Sequence, residues 1–131
     1  MNNLIDKSFK QLTLYCESED FKGWDPFDGL SSRFFQAIPF VNKNKFCKLA
    51  WIQFFKRSPV NFRRLFLIDK QHNSKGLALF IIAYCNLYEK SGDNTIVEKI
   101  NTLCDKLIRS KSENYAESCW GYYFDWQARA F

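Results

Sequence analysis

The chain has one histidine, His72, in 131 residues. That excludes a zinc site made of His ligands within one chain, and it leaves a His-based catalytic triad only one candidate. No Cys-x-x-Cys pair occurs. Cys16, Cys47, Cys85, Cys104 and Cys119 are odd in number, far apart and set among apolar residues. They read as buried, reduced thiols of a cytoplasmic protein rather than as a disulfide framework. Long apolar runs are missing too. The best one, Gly76 to Cys85, is about half of the ~20 residues that a membrane-spanning helix needs. The first residues, Met1 to Lys7, show no basic segment followed by an apolar core, so no secretory signal is visible. Gly76 and Gly92 stand alone, which leaves no glycine-rich phosphate loop. No segment alternates with period two, so strands are not expected and the fold class reads as all-α. No metal or cofactor is expected.

Aromatic residues are plentiful: Phe 14, Tyr 6 and Trp 4. Such side chains bury much area with few residues, and the length suits one helical domain over residues 1–131. The net charge is +5. Its densest basic segment is Lys56-Arg57 with Arg63-Arg64. Solvated helix faces account for such residues, and the sharper alternative is contact with phosphates or an anionic membrane surface. No zinc-finger or RNA-binding signature is present, so nucleic acid is not an expected partner.

Leu4, Ile5, Phe9, Leu12 and Tyr15 recur at helical spacing and predict a helix over residues 3–18. Ser31 or Ser32 caps a short helix carrying Phe34, Phe35 and Ile38, and Pro39 ends it or starts a turn. Asn42 caps a helix to about Arg57, apolar on most sides. Ser58-Pro59 opens a short helix to about Ile68. Gly76 to Lys90 reads as a nearly all-apolar helix, with Gly92 as a left-handed C-cap. Thr95 to Ser110 is cleanly amphipathic, and residues 111–118 can hold one more short helix. Buried-type helices thus alternate with amphipathic ones, which suits two layers of antiparallel helical hairpins, with a compact orthogonal bundle as the plain alternative.

Two segments combine aromatic rings with carboxylates. In Trp24-Asp25-Pro26-Phe27-Asp28-Gly29 the plain reading is a helix N-terminus, and the functional one is a polyol held between ring faces and carboxylates. In Trp120-Gly121-Tyr122-Tyr123-Phe124-Asp125-Trp126-Gln127-Ala128-Arg129 the plain reading is a hydrophobic cover over helix ends, and the functional one is a ligand wall. A third segment, Trp51 to Arg63, reads as core. Arg57 and Asn61 there can cap helix ends or reach a neighbouring loop.

Four segments in order carry a family resemblance: Trp24-Asp25-Pro26-Phe27-Asp28-Gly29-Leu30, Lys56-Arg57-Ser58-Pro59-Val60-Asn61, Lys75-Gly76-Leu77-Ala78-Leu79-Phe80 and Trp120 to Arg129. Together they resemble the N-terminal part of bacterial α/α-toroid proteins of polysaccharide-biosynthesis loci, which are related in architecture to six-hairpin glycosidases. The resemblance spans nearly all of this chain but only the first part of such a protein. It implies a partial α/α toroid with the aromatic-acid loops around its mouth, closed by a second copy or by a further C-terminal part. It also implies carbohydrate handling linked to cell-surface polysaccharide biosynthesis, with an oligosaccharide as partner and binding favoured over catalysis. Trp24, Asp25, Arg57, Trp120, Trp126 and Arg129 would bind the ligand. If the site is catalytic, Asp28 or Asp125 would act as acid or base. The rival expectation is an interaction module that associates through its aromatic surface.

Overall fold

The computed structural model describes residues 2–113 and 115–128 and is all-helical, with no strand among them. The elements are α1 (Asn2–Ser18), a 3-10 turn (Asp28–Ser31), α2 (Arg33–Gln36), α3 (Pro39–Lys43), α4 (Lys45–Arg57), α5 (Ser74–Ser91) and α6 (Thr95–Arg109). They form two compact units. Residues 2–22 and 72–122 contribute α1, α5 and α6, and residues 23–71 and 123–128 contribute the rest.

In the first unit, α5 and α6 pack along each other across a three-residue turn. Asn73 starts α5: its side-chain oxygen accepts from the amides of Lys75 and Gly76 at 3.0 and 3.3 Å. Gly92 ends it at φ +64°, a left-handed conformation that a residue with a Cβ adopts only at a cost. Leu77, Tyr84 and Leu103 form the core, with Phe21, Phe80, Ile96, Ile100 and Leu107 packed around them. The outer side of α5 is open, with Leu79 and Ile82 both more than half exposed. The apolar character of α5 thus does not bury it on all sides: among the described residues α6 packs along it, α1 meets it through side chains, and the outer side stays open.

α1 is fastened to the α5–α6 pair at its C-terminal end. Asp20 and Phe21 both adopt positive φ, 53° and 58°, which is strained backbone for such residues. The turn they make seats the Phe21 ring edge-on against Phe80 and Tyr84, with centroids 5.0 and 6.1 Å apart. Glu17 accepts from the Tyr84 hydroxyl at 2.9 Å and pairs with Lys99, while Asp20 pairs with Lys106 and with Lys22. Farther from this anchor, Leu4, Ile5 and Leu12 are exposed.

These pairs set a pH dependence. The Lys99 hydrogen bond holds the Glu17 carboxyl below its ordinary 4.5, and the Lys106 hydrogen bond holds Asp20 below 3.8. Both are lowered in the folded state, so their contribution is fully present above the ordinary carboxylate values. It is lost as pH falls through the depressed ones. Half of Asp20 is open to water, which keeps the contribution small. Hydrogen exchange should show α1 amides losing protection at acid pH while those of α5 and α6 keep theirs.

The second unit is built around Trp51. The rings of Phe35, Phe55 and Phe66 lie 5.0, 5.4 and 5.0 Å from it, and its indole N–H donates to the Gly29 carbonyl at 2.9 Å. Gly29 fits closely here, since a Cβ on it would meet the Phe55 ring at 3.0 Å and press it aside. Leu30, Phe35 and Ile52 complete the core. Amide bonds of 3.0 Å in both directions between Gly23 and Gln71 pin the two ends of the 23–71 segment together.

Three predicted elements differ. The helix expected from an Asn42 cap starts instead at Lys45, capped by the Asn44 side chain through the amides of Phe46 and Cys47, while Asn42 lies in the separate short helix α3, which Pro39 opens. Residues 58–68 are turns, not a helix. Ser58 exchanges hydrogen bonds with Val60, the Asn61 side chain takes the Arg63 amide, and Leu67 sits at φ 56°. Such local side-chain bonds compete with the helical ladder. Residues 111–113 and 115–118 are irregular as well, tied by a 2.9 Å bond from the Ser112 amide to the Cys119 carbonyl. All five cysteines are free thiols, and all are half-buried rather than fully buried.

Candidate functional site

The first candidate is a groove at the start of α5. Capping by Asn73 sets Asn73, Ser74 and Lys75 along one wall. Trp120, Gly121 and Tyr122 form a second wall, and Ala78 and Leu107 also line the groove. Three bonds fix this second wall. The Trp120 indole N–H donates to the Leu107 carbonyl at the end of α6 at 2.7 Å, the Gly121 amide donates to Ser112 Oγ at 3.1 Å, and Ser112 is tied to Cys119. The Trp120 ring is therefore held by its polar edge while 42% of the residue stays exposed, and Tyr122 is 63% exposed. The groove encloses about 420 Å³, within the range of about 300–1,000 Å³ typical of small-molecule sites. Its lining combines two aromatic residues with an amide, a hydroxyl and an ammonium side chain.

The second candidate lies in the other unit, around Asp28. Its carboxylate is fully buried and accepts from Arg63 Nε at 2.9 and 3.2 Å and from the Asp25 amide at 3.0 Å. Arg63 also donates to the Asp25 carbonyl at 2.9 Å and lies over the Phe55 ring. Asp25 accepts from the Phe27 amide at 2.9 Å. Burial pushes the Asp28 carboxyl up, opposed by Arg63 and the Asp25 amide. With both oxygens engaged and no access to water, the observed work of Asp28 is to hold the Trp24–Ser31 turn on the 58–68 segment. Nearby, burial first and then the Asp28 and Asp25 charges push the Tyr123 hydroxyl up to about 12.

Of the residues singled out from sequence, Trp24, Asp25, Asp28 and Trp126 belong to this second unit. The Trp24 indole donates to the Ile68 carbonyl at 2.9 Å, and Arg64 and Lys70 lie over its ring at 5.9 and 4.7 Å. Trp126 packs against Phe27, centroids 6.2 Å apart. Arg57 is exposed at the end of α4, and Asp125 is exposed. Trp120 belongs to the first unit, and Arg129 lies outside the described residues. The arginine that meets Asp28 is Arg63, not one of the two arginines singled out. Nothing in its spacing marks it, because the two residues stand 35 positions apart. Asn73 and Ser74 were missed as site residues; their signal was the polar turn directly before the Lys75-Gly76-Leu77 segment.

The fold and the first groove thus define an all-helical protein with an aromatic-and-polar cleft at a helix start. No family model, no curated protein and no solved structure matches the chain.

Proposed function

We propose that this chain binds carbohydrate in the groove between Asn73-Ser74-Lys75 and Trp120-Tyr122. The observation that carries the proposal is the held, half-open Trp120 ring in one groove with the polar residues Asn73, Ser74 and Lys75. A pyranose presents apolar C–H faces that stack on aromatic rings and hydroxyls that bond to amide, hydroxyl and ammonium groups. The groove pairs two of the four segments on which the toroid resemblance rests, Lys75 to Phe80 and Trp120 to Arg129. That resemblance supports a role in cell-surface polysaccharide biosynthesis and an α/α-toroid arrangement of the helices. Binding rather than catalysis is proposed, since no carboxylate lines the groove among the described residues.

Calorimetric titration with a panel of oligosaccharides, neutral and acidic, tests the proposal. At least one member should bind to a single site. Trp120→Ala should weaken it about tenfold, the value of one aromatic stacking contact at roughly 1.4 kcal/mol. Failure of the folded protein to bind any member would overturn it.

A further inference from the structure

The net positive charge of this chain falls in one of its two units. Residues 23–71 and 123–128 hold nine Lys and Arg against four Asp and Glu, while residues 2–22 and 72–122 hold nine against ten. Within the second unit, residues 29–68 contain eight basic residues and no acidic one. Random mixing at this composition would have interspersed both signs along such a stretch, as it does in α1 and α6. The same stretch carries the two most exposed large hydrophobic side chains of the described residues, Phe40 at 89% and Phe46 at 80%. They flank the Asn44 cap at the α3–α4 junction, among Lys43, Lys45 and Lys48. Along α4, Phe46, Leu49, Ala50, Gln53 and Arg57 recur at helical spacing and line a concavity of about 670 Å³ together with Lys45.

We infer that the α3–α4 face docks on an anionic lipid bilayer. Lys43, Lys45, Lys48 and Arg57 supply attraction to the headgroups, and Phe40 and Phe46 enter the boundary between headgroups and acyl chains. Neither component alone suffices for a surface-bound helix; a basic rim around large apolar side chains supplies both. Charge complementarity selects a polyanion. The aliphatic side chains that line α4 beside these charges, Leu49 and Ala50 next to Phe46, favour lipid over nucleic acid, since such groups partition into acyl chains but offer bases no stacking surface. No helix among the described residues is long and apolar enough to cross a membrane, so the contact is one of lying on the surface.

Co-sedimentation with phosphatidylcholine vesicles, with and without phosphatidylglycerol, tests this. The full chain should pellet with the phosphatidylglycerol vesicles and not with phosphatidylcholine alone, and added NaCl should weaken binding. The double variants Phe40→Ser with Phe46→Ser, and Lys43→Glu with Lys48→Glu, should each weaken binding at least tenfold. Phe40 and Phe46 are exposed, so circular dichroism of the first should match the parent. In a Phe40→Trp variant the new indole should shift its emission to the blue when anionic vesicles are added. No binding to anionic vesicles would overturn the inference, as would binding that both serine substitutions leave intact. Tighter binding to a single-stranded RNA oligonucleotide than to the vesicles would overturn it in favour of nucleic acid.

Discussion

Arg63→Ala should unfold the Trp51-centred unit well before the parent protein, at a cost of about 3–5 kcal/mol. The expectation follows from what stays behind. Asp28 is 0% exposed, and Arg63 donates to both of its oxygens. Without the guanidinium, a carboxylate is left in the core with only the Asp25 amide. The Asp25 carbonyl loses its 2.9 Å donor in the same step. Asp28→Asn should cost less, because its amide oxygen still accepts from Arg63, although its NH2 then faces the Asp25 amide and the cation loses its counter-charge. Replacing both, Asp28→Asn with Arg63→Met, should recover much of the loss, since a buried pair removed together leaves no uncompensated charge. Urea unfolding followed by tryptophan fluorescence reads this directly, because Trp24 and Trp51 both belong to that unit. An Arg63→Ala midpoint equal to that of the parent would show that the pair does not hold the unit together.

Leu103→Ala should be the most damaging single change in the other unit. Leu103 and Leu77 are each 1% exposed and meet in the core between α5 and α6. Shortening Leu to Ala in such a place removes buried methyl groups and leaves a cavity, at about 2–5 kcal/mol. The consequence should reach the groove. Trp120 is tied to the Leu107 carbonyl one turn further along α6, and Asn73 caps the helix that Leu103 packs against. Oligosaccharide binding should therefore fall together with thermal stability. Leu79→Ala is the control: at 58% exposed on the open side of α5, it should change stability by no more than about 0.5 kcal/mol. Equal effects of the two substitutions in thermal melts would contradict the placement of the core.

The elements legible in the sequence are those whose signals are local. α1, α5 and α6 follow from apolar spacing, and the end of α5 follows from Gly92 at φ +64°. The 58–68 segment misled because Ser58-Pro59 is a good helix opening. What overrides it is a pair of local side-chain bonds from Ser58 and Asn61, whose formation depends on where Arg63 must go. The Asp28–Arg63 pair itself spans 35 residues, and no periodicity connects two positions so distant. The aromatic clusters were visible as clusters, but not as members of different units. Trp120 is fixed by the end of α6, and Trp126 by Phe27, although only six positions separate them. Asn73 was readable as a turn residue. Its second use as a wall of the groove depends on Trp120 arriving from 47 positions away, which only the folded chain displays.

The most direct test of the carbohydrate proposal is a two-dimensional amide spectrum recorded while a bound oligosaccharide from the panel is titrated in. Saturable shifts are expected, confined to the Trp120 indole N–H, the Gly121 and Tyr122 amides and the amides of Asn73, Ser74 and Lys75. The signals of Trp24 and Trp51 should stay in place. Saturable shifts that instead fall on residues of the 23–71 segment, with the Trp120 indole unmoved, would contradict it.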